Sequence, residues 1–231
     1  MNKQICWIVV AVAGLGGGPV QTGTVLYVDD NAPLAGDGLR WSTAYRFLQD
    51  ALANAAGVAE IRVARGTYKP DHDEGGNVTP GDRGATFQLI NGVALMGGFA
   101  GIRALDPDQR DVEQHETILS GDLLDDDGPD FANNDENSFH VVIGDGTGAT
   151  AILDGFTITA GNADGADPDH SGGGMLNSLD SSPMVANCTF SGNTSTLGAG
   201  MYNHSNSSPG YSTARSTEIG RWTLAVGWRT S

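Results

Sequence analysis

The sequence predicts an all-β protein, a parallel β-helix solenoid, and three observations carry that expectation. First, segments recur at fixed spacing. Gly174-Met175-Leu176-Asn177 returns as Gly200-Met201-Tyr202-Asn203, and Ser181-Ser182-Pro183 as Ser207-Ser208-Pro209, each 26 residues later. Second, apolar residues alternate with polar ones in short runs bounded by Gly, Asn and Asp, the period of a half-buried strand. Third, only the segment 43–56 carries a helical period, and it comes early in the chain. A fixed period holding several short strands describes one coil of a solenoid, each strand pairing with its equivalent one coil on, ~4.8 Å away. A β-sandwich or jelly roll needs no such period.

The elements follow in order. Residues 1–23 open with Lys3, run apolar from Ile5 to Leu15 and end in small residues and Pro19, which reads as a signal peptide. The apolar run is too short to span a bilayer. The rest, 24–209, is assigned to the β-helix, with its repeats clearest at 155–209. Tyr27-Val28 make a short strand before a turn. In 43–56, capped by Ser42 or Thr43 and stopped by Gly57, the residues Phe47, Leu48, Ala51, Leu52 and Ala55 share one face. Arg46, Gln49, Asp50 and Asn54 occupy the other. This one-sided helix is expected to precede the run of strands and cap the open solenoid end, which otherwise exposes apolar side chains and strand edges.

Beyond Gly57 the period becomes alternating, at Ile61 and Val63, Phe87 and Leu89, Val93 and Leu95, then Phe156 and Ile158. Phe156-Thr157-Ile158-Thr159 corresponds to Cys188-Thr189-Phe190-Ser191 at a spacing of 32, and the excess is assigned to a loop enlarged at 164–170. Phe156, Ile158, Cys188 and Phe190 are expected inward, Thr157 and Thr189 outward. Asn177 and Asn203, at equal repeat positions beside a turn, are placed to hydrogen-bond amide to amide. After Pro209 the expected apolar-Asn-Cys-Thr-Phe pattern is missing. The tail 210–231 carries three arginines, one acidic residue, Trp222 and Trp228. It reads either as a cap or as the frameshifted end of a longer, truncated repeat protein.

Phe47-Leu48-Gln49-Asp50-Ala51-Leu52 through Ile61-Arg62-Val63-Ala64-Arg65-Gly66-Thr67-Tyr68 resembles the opening of the pectin-lyase-like superfamily of right-handed parallel β-helix proteins. Asn187-Cys188-Thr189-Phe190-Ser191-Gly192-Asn193 with Gly200-Met201-Tyr202-Asn203 is similar to repeats of bacterial surface β-helix proteins, which resemble chlamydial polymorphic outer-membrane protein repeats. The resemblance implies a right-handed coil and a secreted or cell-surface protein. It names no activity, because this fold hosts lyases, hydrolases, epimerases and adhesins alike, and no residue matches a catalytic motif of the family.

Composition narrows the partners. The net charge of −16 repels nucleic acids and anionic membranes and suits divalent cations. Outside the leader Cys188 stands alone, so the expected mature chain has neither an internal disulfide nor a cysteine metal site. The richest chemistry lies in Gly121–Asp130, with five aspartates in nine positions and Asn133, Asn134, Asp135 and Glu136 close behind. Calcium takes six to eight oxygen ligands, so the loop reads either as a calcium site held by Asp122, Asp125, Asp127 and Asp130 or as a solvated turn. Asp29, Asp30 and Asp154 read as turn formers rather than a glycosidase pair, and the five scattered histidines as structural. The expected function is therefore a secreted, structural or adhesive β-helix that contacts polysaccharide or another cell-surface ligand. The alternative is the N-terminal part of a polysaccharide lyase or glycoside hydrolase.

Overall fold

The computed structural model describes residues 23–212 and the backbone of 215–216. The expected signal peptide, apart from Gly23, and residues 217–231 of the tail lie outside the described residues.

Strand β1 (Thr24–Val28) leads, through a 3-10 turn at Trp41–Thr43, to α1 (Leu48–Ala53). Then follow β2 (Val58–Ala64), β3 (Gly66–Tyr68), β4 (Phe87–Gln88), β5 (Ala94–Phe99) and β6 (Thr117–Ser120). The middle of the chain supplies β7 (Val142–Ile143), β8 (Ile152–Asp154), β9 (Thr157–Thr159), β10 (Asn162–Ala163) and β11 (Met175–Asn177). The last are β12 (Met184–Ala186), β13 (Thr189–Ser191), β14 (Thr194–Ser195), β15 (Met201–Asn203), β16 (Gly210–Ser212) and β17 (Arg215–Ser216). Among the described residues α1 is the single α-helix, so the chain is all-β in class.

Every pairing between these strands is parallel. The first sheet runs β1-β2-β5-β8-β12-β16, the second β3-β6-β9-β13-β17, the third β4-β7-β11-β15, with a short pair β10-β14. From β8 onward the chain visits them in one cyclic order: first sheet, second, short pair, third, first again. Short strands linked in this way bury one face toward a common interior. Leu26, Ile61, Leu95, Leu153 and Val185 of the first sheet meet Tyr68, Leu119, Ile158 and Phe190 of the second and Phe87, Val142, Met175 and Met201 of the third in one core.

The repeat spacing is the register of the sheets. Met175 faces Met201, and Asn177 faces Asn203, 26 positions on. Thr157 faces Thr189, and Asn162 faces Thr194, 32 positions on. Ala163 still pairs at the longer spacing with Ser195, whereas Ser171 already pairs at the shorter with Leu197. The extra residues therefore lie within 164–170, where the sequence places them. Phe156, Ile158, Cys188 and Phe190 are buried, as expected. Thr157 and Thr189 are half-buried rather than open to solvent, and the Thr157 hydroxyl donates to Glu116 Oε1 at 2.8 Å.

Asn177 is fully buried and its Nδ2 donates to Asn203 Oδ1 at 3.0 Å, the rung-to-rung amide bond that equal repeat positions suggest. Both residues belong to strands. The left-handed residues come just after, at Leu179 and Asp180 in one repeat and Ser205 and Asn206 in the next. Asn177→Ala removes this bond and leaves a small void, and the expected loss is about 1–3 kcal/mol, measured as a shift of the urea midpoint at unchanged slope.

Three expectations need correction. The helix is shorter than 43–56, because Tyr45 is drawn into extended pairing with β1: its N–H donates to Tyr27 O and its carbonyl accepts from Asp29 N, both at 2.9 Å. Long-range pairing overrides helical propensity there. Ser42 and Thr43 lie in or beside the preceding 3-10 turn, and extended Phe47 caps α1 without a side-chain bond. Nor does the helix precede all strands, since β1 does and forms the end rung of the first sheet. Third, the polar helix face is covered. Gln49 Nε2 donates to Pro70 O and Thr86 O, and Asp50, 6% exposed, accepts from the Glu74 and Gly75 amides. The apolar face packs as expected, with Leu48, Ala51 and Ala55 in the core.

Backbone pairing runs on past Pro209, although the side-chain pattern stops there. Gly210–Ser212 pair with Met184–Ala186, and Arg215 and Ser216 take the register positions opposite Thr189 and Phe190. Parallel pairing needs only backbone groups, so it continues where the side-chain pattern fails. Among the described residues no helix is long and apolar enough to cross a membrane.

Candidate functional site

The acidic loop leaves β6 at Ser120 and returns to the sheets before β7. Its base is closed by the Ser138 amide donating to Gly121 O at 2.9 Å. Leu123, 5% exposed, anchors it inward. Left-handed conformations at Asp125, Asp130, Phe131 and Asn133 fold it back on itself, which the short polar side chains of Asp125, Asp130 and Asn133 tolerate. Inside the fold-back Asp122 accepts the amides of Asp126 and Asp127 at 3.2 and 3.3 Å, and Asn133 Nδ2 donates to Asp126 O at 2.8 Å.

This folding brings together Asp122, Asp126, Asp127 and Glu136, one carboxylate oxygen of each lying within 4.8 Å of the others. Of the four residues expected as ligands, Asp122 and Asp127 are in the group. Asp125 is not: its carboxylate pairs with Lys69 Nζ at 2.6 Å and lines a cleft beside the start of α1. Asp130 is also outside the group, exposed in the 3-10 turn Pro129–Phe131. Asp126 and Glu136 replace them. The Asp122 carboxylate, by accepting amides four and five residues on, folds the loop so that Asp126 and Asp127 come beside it, and the density of aspartates does not reveal this.

The grouped carboxylates interact unfavourably. Burial pushes the Asp127 carboxyl above the usual range, the Asn137 amide opposes this, and the Asp122 and Asp126 charges push it up again. Glu136 is raised by burial and, more weakly, by Asp126 and Asp127, against an opposing backbone hydrogen bond. Asn137, 1% exposed, donates from Nδ2 to Asp127 Oδ2 at 2.8 Å, while its Oδ1 has no partner. Ligand oxygens on opposite sides of a calcium ion stand about 4.8 Å apart, so the hard-oxygen set has the span and chemistry this ion takes.

The other aspartates that the sequence singles out make local contacts. Asp29, 2% exposed, accepts from the Asn31 and Ile102 amides at 2.8 and 2.7 Å. Asp30 is raised by burial and by Asp29, and its amide donates to Tyr68 Oη at 3.2 Å. Asp154 is held by Arg110 at 2.7 Å and Asn187 at 2.9 Å. The segment Gly144–Gly148 is a turn, closed by Thr147 N donating to Gly144 O. Cys188 is buried, and burial pushes its thiol up to about 12. Thiolate is the reactive form, so Ellman's reagent is expected to label Cys188 only after unfolding; rapid labelling of the folded chain contradicts this.

Comparison of the chain with models of protein families, with curated protein sequences and with solved structures gives no match.

Proposed function

We propose that this protein is a right-handed parallel β-helix of the pectin-lyase-like type, secreted or displayed at a cell surface, and that it serves as a non-catalytic structural or adhesive module contacting polysaccharide. The observation that carries the reading is the cyclic visiting of parallel sheets at a repeat-matched register. A solenoid presents long, regular outer faces, and such surfaces suit repeating ligands. The carboxylates of Asp29 and Asp154 are held in local bonds, which fits a non-catalytic role. The acidic loop adds a calcium staple: Asp122, Asp126, Asp127 and Glu136 would supply carboxylate oxygens, and Asn137, with its amide turned over, a further one. That ion would supply charge neutralisation and would fix the loop against its base.

The full chain, produced with its leader in a bacterial host, is expected outside the cytoplasm and shortened by the leader, as read by mass. It is then sedimented with insoluble polysaccharides and the supernatant assayed for new reducing ends. Retention without chain cleavage is the expected result. Heat-labile release of reducing or unsaturated ends overturns the non-catalytic reading in favour of a lyase or hydrolase.

A further inference from the structure

The enlarged loop at 164–170 forms one wall of a groove of about 510 Å³ against the third sheet. Its lining includes the carboxylates of Asp145, Asp167 and Asp169 and, among the described residues, no Lys or Arg. Asp145 accepts the Ser178 amide at 2.7 Å, and Asp169 and Asp167 are respectively 42% and 90% exposed. Tyr202, in β15, and His204, just after it, also line the groove, their rings stacked at 6.2 Å and 15° from parallel.

The decisive group is His140, 5% exposed, which lines this groove. Its Nδ1 lies 3.1 Å from Gly172 O, a carbonyl that can only accept, so Nδ1 carries the proton. In the neutral ring Nε2 is then a lone-pair acceptor. It lies 3.5 Å from Asp169 Oδ1, another acceptor, and has no hydrogen-bond partner. The buried Ser171 Oγ, also in the groove lining, is unpartnered. The two acceptors stand in direct apposition at the groove wall, and a donor that enters as the exposed Asp169 side chain shifts satisfies both, with the carboxylates of the lining favouring a positively charged one.

We propose that this groove binds an amine-bearing saccharide, its ammonium group donating to Asp169 and His140 Nε2 while a sugar ring lies on the Tyr202–His204 platform. This rests on the glycan-contacting role above and names the glycan class: an aminohexose polymer rather than a uronate, which the three carboxylates repel. The open floor of aromatic rings fits the apolar face of a pyranose, and Ile143, Leu176 and Leu197 provide apolar sides. A linear polyamine offers the same ammonium chemistry without a ring to stack, so it is the competing source.

The test is calorimetric titration of the full chain with a de-N-acetylated glucosamine tetramer, its N-acetylated counterpart and spermidine. The glucosamine tetramer is expected to bind about tenfold or more tighter than the N-acetylated one, the factor that losing a charge-assisted hydrogen bond gives. Asp169→Asn and Tyr202→Leu are each expected to weaken it about fivefold. Leu105→Ala, at an exposed position outside the groove lining, is expected to leave it unchanged, and matching near-ultraviolet circular dichroism checks the fold of each variant. Equal binding of the two tetramers overturns the ammonium contact. Spermidine binding as tight as the tetramer overturns the saccharide. An imidazolium at His140 in the free chain at neutral pH, read by nitrogen-15 NMR, also overturns it, because Nε2 then donates to Asp169 directly. If neither tetramer binds while another polysaccharide is retained equally by wild type and Asp169→Asn, the groove assignment fails and the adhesive role stands. If no polysaccharide is retained, both fail.

Discussion

Phe156→Ala lowers the folding free energy by about 3–5 kcal/mol, the range for truncating a buried aromatic side chain. Phe156 is 2% exposed, at the corner where the chain passes from β8 into β9. Its ring packs close to Gly97 in β5, so it touches a neighbouring strand of the first sheet as well as its own segment. An interior this dense cannot close a ring-sized void without moving strands that pair on both sides. Because domains of this size are stable by about 5–15 kcal/mol, the variant sacrifices a large share of the total. Urea unfolding followed by circular dichroism measures it, with Phe156→Leu as a milder control and exposed Leu105→Ala expected within about 0.5 kcal/mol of wild type. A loss below about 1 kcal/mol for Phe156→Ala means that the corner is not packed as described.

Calcium at millimolar concentration stabilises the protein by about 1–3 kcal/mol, as binding to the folded state alone requires when the ion exceeds its dissociation constant ten- to a hundredfold. Extracellular calcium modules bind in about the 10⁻⁴–10⁻³ M range, so the effect is read as a rise in thermal midpoint over that titration. Asp127→Asn and Glu136→Gln remove most of it. Asp125→Asn and Asp130→Asn leave it in place, since those carboxylates stand outside the cluster. The pH dependence has a definite sign. Asp127 and Glu136 are raised in the folded chain, so between their unfolded and folded values the folded state binds more protons, and their contribution to metal-free stability falls as pH rises through that window. Calcium needs the deprotonated forms, so its increment grows over the same window. Equal midpoints with calcium and with chelator at neutral pH dispose of the staple, as does loss of the calcium response in Asp125→Asn alone.

Much of this architecture was legible in the sequence because strand register and repeat spacing are the same quantity. When Met175 pairs with Met201 and Thr157 with Thr189, the spacings 26 and 32 are visible before any coordinate is known. The inward alternation of Phe156, Ile158, Cys188 and Phe190 follows from the two-residue period of a pleated strand, and the loop at 164–170 is the place where the two spacings part. These are local rules repeated along the chain.

What the tertiary structure alone decided are matters of distant partners. Tyr45 is extended because β1 pairs with it, and the polar face of α1 is covered because 70–86 folds across it. Among the aspartates, composition pointed to Asp122, Asp125, Asp127 and Asp130. Lys69, far away in sequence, takes Asp125, and the fold-back of the loop exchanges Asp130 for Asp126 and Glu136. The groove around His140 was invisible for the same reason: its lining comes from separate stretches, 140–145, 167–178 and 197–204, brought together by strand pairing. The sequence by itself determined the period, the inward face and the class of fold, because backbone pairing and side-chain alternation are local. Which charged groups meet was decided only when the parallel sheets assembled, because electrostatic contact depends on distance in space, not position along the chain.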